Sequence, residues 1–417
     1  MNAEIVAIGT ELLLGQNVDT NSSWLAEQLA KLGIDVYSFQ AVGDNEKRIE
    51  TALKLACERS QFVVTTGGLG PTVDDVTRKV AGRIAQKQLV FNDALAKQIE
   101  EFFTRLGKPC PKVNLNQAFI PQGASVVPNP TGTAPGFIVK VGKSHLACLP
   151  GVPSEMKGMF ESTLRPFLKA LSPTGTVIKS KVYRTTGISE SLLNENIRDM
   201  FEKSTNPTVA VLAHAEGVDI RLTAKAPSEA EANSLIEGLG KTLIGRLPNF
   251  IYGWDQDNLE TIVGRLLTTR QLTVAVAESC TGGLIGHRLT QVPGSSQYYM
   301  GGWVVYADRL KSASLGVDPK LIGKKGAVSR DVAEAMAHNA REKAGADVAI
   351  ATTGVAGPGG GTPEKPVGLV YIGLSDDQGT QVFENRFSGS RESIKMRTSQ
   401  TALELLRRYC LQLPLKD

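Results

Sequence analysis

The sequence predicts an α/β protein of three domains, and three observations carry that reading. The length, 417 residues, exceeds what one ordinary hydrophobic core spans. Residues 1–170 alternate short apolar strands with helices, the pattern of a mostly parallel sheet covered on both faces, a three-layer α/β/α domain. Residues 171–253 switch to strands of alternating polarity and mark a small α+β module, and residues 254–417 return to buried strands that run into glycine turns, a second α/β domain.

Composition limits the function classes. A net charge of +4, from 46 basic and 42 acidic residues, gives no case for nucleic acid or an anionic membrane as partner. No apolar run approaches transmembrane length. The opening MNAEIVAIGTE enters a strand with no basic segment before it, which is not a secretory pattern. Cys57, Cys110, Cys148, Cys280 and Cys410 are scattered and form no C-x-x-C pair, so a reduced, cytoplasmic protein is expected. The four histidines lie far apart in sequence, and any metal should be a hard cation on carboxylates.

In the first domain EIVAIG reads as a strand, and TNSSWLAEQLAKLG as a helix with Thr20 or Asn21 as cap and Gly33 as stop. The strands IDVYSFQAV and QFVVTTGG follow, separated by the helix EKRIETALKLACERS. Such folds bind ligands at the carboxyl ends of their strands. There the chain places Thr10 and Glu11, then Asp44 and Asn45, then GGLGPTVDD from Gly67 to Asp75. Gly67, Gly68 and Gly70 could be turn residues only, and Asp74 or Asp75 could simply cap the helix VTRKVAGRIAQ. Acids at three successive strand ends also suit a divalent ion, with the glycines admitting the phosphates of a nucleotide or pyrophosphate. NPTGTAPGF (Asn129 to Phe137) and LPGVPSEM (Leu149 to Met156) are loops of fixed irregular backbone, the kind that usually carries binding.

The middle module contains the strands TVIKSKVYRTTG and VDIRLTAKAP and the helices ISESLLNENIRDMFEK and SEAEANSLIEGLGKTLIGRL. It reads as a connector or dimerisation module, with Arg184 and His214 structural and NFIYGWDQDN as the hinge to the last domain.

The last domain turns on AESCTGG, Ala277 to Gly283, between the strand TVAVA and the helix LIGHRL. Gly282 and Gly283 are expected in the first helical turn, where each costs about 0.5 to 1 kcal/mol relative to alanine. Close approach of another group to bare backbone amides would justify that cost, since a helix N-terminus suits an anion. Ser279 or Thr281 could instead be an N-cap and nothing more. As a nucleophile Ser279 needs a base; His287 lies about two turns into the helix, too far to reach it. Lys311, in YADRLK, falls in the first turn of a helix capped by Asp308, where the macrodipole disfavours an ammonium. The loop GVAGPGGG, with Gly354 and Gly357, could lay its amides against phosphate or ribose, or be only flexible. No G-x-x-x-x-G-K-[ST] exists, which excludes a P-loop kinase.

GTELLLGQNVDTNS, TTGGLGPTVDD, NPTGTAPGF and LPGVPSEM, in this order, resemble the N-terminal domain of the competence/damage-inducible protein CinA family, itself similar to the molybdopterin-binding fold. AESCTGG, YADRLK, GAVS, GVAGPGGGTPEKPVG and FSGSR resemble that family's C-terminal domain. The resemblance implies a nicotinamide mononucleotide deamidase at the C-terminus, needing no cofactor and releasing ammonia and nicotinate mononucleotide. Ser279 is then the nucleophile and Lys311 the general base, with Tyr306 orienting the pair. The amides of Thr281, Gly282 and Gly283 hold the oxyanion, while Gly354, Gly357 and Arg391 bind substrate, Arg391 at its phosphate. For the N-terminal domain the resemblance implies hydrolysis of ADP-ribose to AMP and ribose 5-phosphate. A divalent metal (magnesium, manganese or cobalt) would sit on Glu11, Asp44 and Asp75, with Gly67, Gly68 and Gly70 against phosphate. Leu69 stands where molybdopterin binders tend to carry threonine, which argues against a pterin ligand. The expected partners are these nucleotides, with no nucleic acid or membrane, and the expected assembly is a homodimer. The rival reading is a molybdopterin- or nucleotide-binding scaffold in DNA uptake or damage response, which has no need of a metal.

Overall fold

The computed structural model describes residues 1–171, 175–214 and 217–415. They form two compact units, Met1–Lys179 with Ala224–Leu235, and Ser180–Thr223 with Ile236–Asp417.

The first unit is built on a six-stranded sheet in the order Asp35–Val42, Asn2–Ile8, Phe62–Thr66, Ser144–Leu149, Gly136–Val141, Ser125–Val127. The first four strands are parallel, Gly136–Val141 runs against them, and Ser125–Val127, antiparallel to it, returns to their direction. Successive residues of a strand point to opposite faces, so Val6 and Val63 join a core with Ile49, Leu53 and Val80, while Ile5 and Val64 join another with Leu25, Leu29 and Phe160. That division makes the three layers, and in such a fold ligands bind at the carboxyl ends of the strands. The helix Thr20–Lys31 is capped by Asp19, which accepts from the Ser22 amide at 2.9 Å, and not by Thr20 or Asn21. Both of those residues lie inside the first turn, where their backbone is already helical.

The second unit contains a five-stranded sheet in the order Tyr299–Val304, Val274–Glu278, Val348–Gly354, Leu369–Asp376, Gly379–Arg386. Its first three strands are parallel. Val274 and Val276 pack on one face with Leu403 and Leu406 of the helix Arg391–Leu411, and Ala275 and Ala277 on the other with Met336 and Ala337 of Arg330–Ala344. A four-stranded sheet has the order Thr208–His214, Gly217–Ala226, Val177–Thr185, Ile251–Trp254. The segment expected as a hinge, NFIYGWDQDN, therefore holds a strand, because its apolar Ile251 and Tyr252 complete a sheet edge beside Thr185. Arg184 and His214 both contact buried Asp219, at 2.6 and 3.1 Å, as structural residues do. Among the described residues no helix is long and apolar enough to cross a membrane.

Candidate functional site

The strand Val274–Glu278 ends directly at Ser279. The Ser279 amide donates to Thr352 O at 2.9 Å, and on the other side the Val305 amide donates to Glu278 O at 2.9 Å. These two bonds bring the AESCTGG turn out between the end of Val348–Gly354 and the segment that carries Tyr306 and Lys311. Gly282 and Gly283 have φ of +63° and +95°, so they form a left-handed turn ahead of the helix Leu284–Thr290, whereas the sequence predicts them in its first turn. Only glycine takes two such residues in succession at little strain.

Glu278, 1% exposed, is the residue that sequence reasoning missed. Its carboxylate accepts from the amides of Gly283 (3.0 Å), Ile285 (3.1 Å) and Gly286 (2.8 Å). A buried carboxylate below a helix N-terminus satisfies both its own charge and the orphan donors. The expected oxyanion set is corrected accordingly: Gly283 donates to Glu278, Gly282 donates to Ser279 O at 3.1 Å, and the Thr281 amide is left for that role. The signal was present as an acid ending an otherwise apolar strand. Burial, with Glu278 nearby, pushes the neighbouring Tyr299 hydroxyl up to about 12.

Lys311 is 1% exposed, and its Nζ lies 3.2 Å from Asp308 Oδ1 and 3.5 Å from Tyr306 O. Asp308 is the first residue of the helix Asp308–Ala313; the cap position belongs to Ala307. The Asp308 carboxylate therefore meets the lysine and not the backbone. Cys280 packs inward with Val276 and Ile285, and burial pushes its thiol up to about 12, against a small opposing pull from Lys311. Ser279 is 8% exposed. His287 is exposed, with Nε2 3.4 Å from Gln291 Nε2, and only its backbone amide bonds to the turn, donating to Gly283 O at 2.9 Å.

Three expected site residues meet in one cluster. Arg391 donates from NH2 to the Tyr306 hydroxyl at 2.6 Å and from NH1 to Gly357 O at 2.8 Å. Its guanidinium thus ties the glycine loop to Tyr306. The loop is fixed by further bonds, Gly368 N to Val355 O at 2.7 Å and Lys365 Nζ to Lys325 O at 2.7 Å, so it is not a loose connection. Gly354 is glycine because a Cβ there would crowd Val370 and the Leu369 carbonyl.

In the first unit the glycine loop is closed on itself. A Cβ on Gly67 would overlap the Ile8 carbonyl oxygen, one on Gly68 the Thr77 hydroxyl, and one on Gly70 the Asp75 carboxylate. Asp75 accepts from Gly70 N (2.7 Å), Thr72 N (2.9 Å) and the Thr72 hydroxyl, and does not cap the next helix, Thr77–Ile84. Buried Arg78 donates to Leu69 O (2.5 Å) and Gly70 O (2.8 Å), and burial lowers its pKa. Asp44 accepts from the Thr10 amide (2.8 Å) and hydroxyl (2.9 Å). Glu11 lines a separate cavity of about 340 Å³ with Asp19, Asn21, Thr66 and Gly151. Among the described residues no three His, Cys, Asp or Glu side chains converge to hold a metal. Glu11, Asp44 and Asp75 as arranged do not fit the divalent ion expected on them, since backbone and hydroxyl donors already neutralise two of the three. The loops NPTGTAPGF and LPGVPSEM are joined by Asn129, which donates to Glu155 at 2.7 Å and to Ala134 O at 2.9 Å.

Comparison with known proteins finds three family models: the CinA C-terminal domain at residues 256–410, the probable molybdopterin binding domain at 4–170, and the damage-inducible protein CinA KH domain at 180–253. A CinA-like protein of Dictyoglomus thermophilum is 45% identical over 413 residues, 99% of this chain and 100% of its own. A putative competence-damage inducible protein of Clostridium beijerinckii is 43% identical over 412 residues, again 99% and 100%. The crystal structure of a competence/damage inducible protein from Agrobacterium tumefaciens, 41% identical, matches 36% of this chain and 94% of its own with a TM-score of 0.35.

Proposed function

The chain belongs to the CinA family, with a molybdopterin-binding-like domain ahead of the CinA C-terminal domain, and from that premise we propose that its second unit hydrolyses the amide of nicotinamide mononucleotide. Ser279 Oγ attacks the carboxamide carbon while its proton passes to Lys311. The tetrahedral oxyanion faces the Thr281 amide. Lys311 then gives the proton to the leaving nitrogen, ammonia departs and an acyl-serine remains. Water, deprotonated by the same lysine, releases nicotinate mononucleotide and restores the serine. The observation that carries this reading is a lysine 1% exposed, held by Asp308 at 3.2 Å and close enough to the Ser279–Cys280 turn to act on the Cys280 thiol. The test is ammonia release from nicotinamide mononucleotide by the full chain. Release that persists with a chelator is expected, and no release sinks the reading.

For the first unit we propose binding and hydrolysis of ADP-ribose to AMP and ribose 5-phosphate. The cavity beside Glu11 and Asn21 supports it, because its wall residue Gly151 stands against Gly67, with 3.5 Å between a Cβ there and the Gly67 Cα. No step is assigned to a metal. If turnover of ADP-ribose stops on chelation, a cation must enter by displacing the Thr10 or Thr72 donors. We also propose a cytoplasmic homodimer. Unpaired cysteines suit a reducing compartment, and exposed Met300 and Val304 on the edge strand Tyr299–Val304 suit a second copy, testable by light scattering.

A further inference from the structure

We propose that Lys395 holds the phosphate of the amidase substrate, and that Arg391 serves as the latch of the glycine loop. The inference rests on the amidohydrolase reading above and names the group that makes its substrate a phosphorylated one.

Arg391 and Lys395 lie four apart on the helix Arg391–Leu411, hence on one face. Their ammonium and guanidinium groups have different surroundings. Arg391 is engaged at both NH1 and NH2, by Gly357 O and the Tyr306 hydroxyl. Lys395 is half-buried, and among the described residues no hydrogen bond or ion pair engages its ammonium. The Nζ lies 3.7 Å from the place a Cβ on Gly282 would occupy. It therefore stands over the bare backbone of the turn that follows Ser279, on the side that the double glycine leaves uncovered. A half-buried cation with no counter-charge is unfavourable in the unliganded protein and is relieved by an anionic ligand. A phosphate monoester suits it, because lysine serves phosphate as a point charge and needs no planar fork. A carboxamide on Ser279 with its phosphate beneath Lys395 places the nucleotide along the Gly282 backbone. The Arg391 latch then fixes the loop on the far side.

The experiment compares nicotinamide mononucleotide with its dephosphorylated riboside in the full chain. Lys395→Met should raise KM for the mononucleotide about 10- to 100-fold, the scale of a charged hydrogen bond, and reduce the preference over the riboside by a similar factor. Lys395→Arg should restore most of that preference. Inorganic phosphate should inhibit the wild type competitively and the Met variant far more weakly. Arg391→Gln should lower kcat for both substrates and leave the preference in place. An unchanged preference in Lys395→Met, or a collapse seen only in Arg391→Gln, overturns the assignment. Calorimetric binding of nicotinamide mononucleotide separates the two readings: a wild type that binds it without releasing ammonia removes the amidase reading. Loss of that binding in Lys395→Met still supports the phosphate site.

Discussion

Two glycine turns follow buried strands in this chain, and they look alike in sequence: TTGGLGPTVDD in the first unit and AESCTGG in the second. Their surroundings are opposite. Around Gly67, Gly68 and Gly70 the space a side chain would need is filled by the protein's own Ile8, Thr77 and Asp75. Above Gly282 and Gly283 the nearest atoms are Lys395 Nζ at 3.7 Å and Val304 Cγ2 at 3.5 Å, ordinary contact distances with room between. Glycine in the first turn is demanded by inward fit, and in the second by a left-handed backbone under an open surface. A glycine-rich turn thus reports a ligand only where the missing side chain leaves space on the ligand's side.

The largest effect should come from the open turn. Ser279→Ala is expected to reduce amidase turnover by about 10³-fold or more, and Lys311→Met by a similar factor, because each removes one half of an activated nucleophile. Stopped assays of ammonia with matched thermal unfolding check this. A Ser279→Ala variant that keeps a tenth of wild-type activity would remove the nucleophile from the comparison.

Alanine placed in each turn tests the contrast itself. Gly67→Ala drives a Cβ into the backbone of a central strand at a φ of +107° and should destabilise the first unit by about 3 kcal/mol or more. Gly282→Ala meets no clash and should cost only about 1 to 2 kcal/mol of left-handed strain, while lowering amidase activity by covering the turn. Urea unfolding followed for each variant decides it; equal losses at the two positions would mean that the turns are equivalent.

Much of this was legible before the fold was known, and the part that was not has a physical reason. Strand and helix positions in the first unit followed from periodicity, since Ile5 and Val6, or Val63 and Val64, must face different layers. Tyr306, Gly357 and Arg391 are distant in sequence, yet the motifs named all three, and Arg391 hydrogen-bonds both of the others. What the motifs could not carry is the use of each hydrogen-bonding group. Sequence placed Asp75 and Gly283 near a ligand, but each already had a partner five residues away, Gly70 and Glu278 respectively. Such local pairs compete with ligands at the same donors, and only geometry tells which wins. Lys395 was passed over for the opposite reason: one lysine on an amphipathic helix carries no pattern until the turn beneath it is seen.

A smaller effect is expected in the closed loop. Asp75→Ala leaves the Gly70 and Thr72 amides without their acceptor and should lower stability of the first unit by about 1 to 2 kcal/mol. Asp75→Asn, which keeps one acceptor oxygen, should lose less. Should both variants unfold as the wild type does yet lose ADP-ribose hydrolysis, the carboxylate works on the substrate and the loop is not its reason for being there.

The smallest effect concerns Cys280, the residue beside the nucleophile. Thiolates are better nucleophiles than hydroxyls, so a reader of AESCTGG has reason to prefer the cysteine. Burial raises this thiol from its ordinary 9.0 to about 12, which leaves roughly one part in ten thousand as thiolate at pH 8. Cys110 is less buried, though also shifted upward, and iodoacetamide should modify it first with no loss of amidase activity. Cys280→Ala should keep turnover within a few-fold. The raised value also fixes the sign of a stability effect. Below pH 9 the thiol is protonated in both the folded and the unfolded chain, and its contribution is full. Between pH 9 and 12 the unfolded chain releases the proton first, so stability falls as pH rises through that window. Cys280→Ala should therefore lose less stability than the wild type between pH 8 and 10.5, measured by urea unfolding. Rapid inactivation by iodoacetamide at Cys280 near pH 8 would show a thiolate that this buried position does not support, and would hand the chemistry of the open turn to the wrong neighbour.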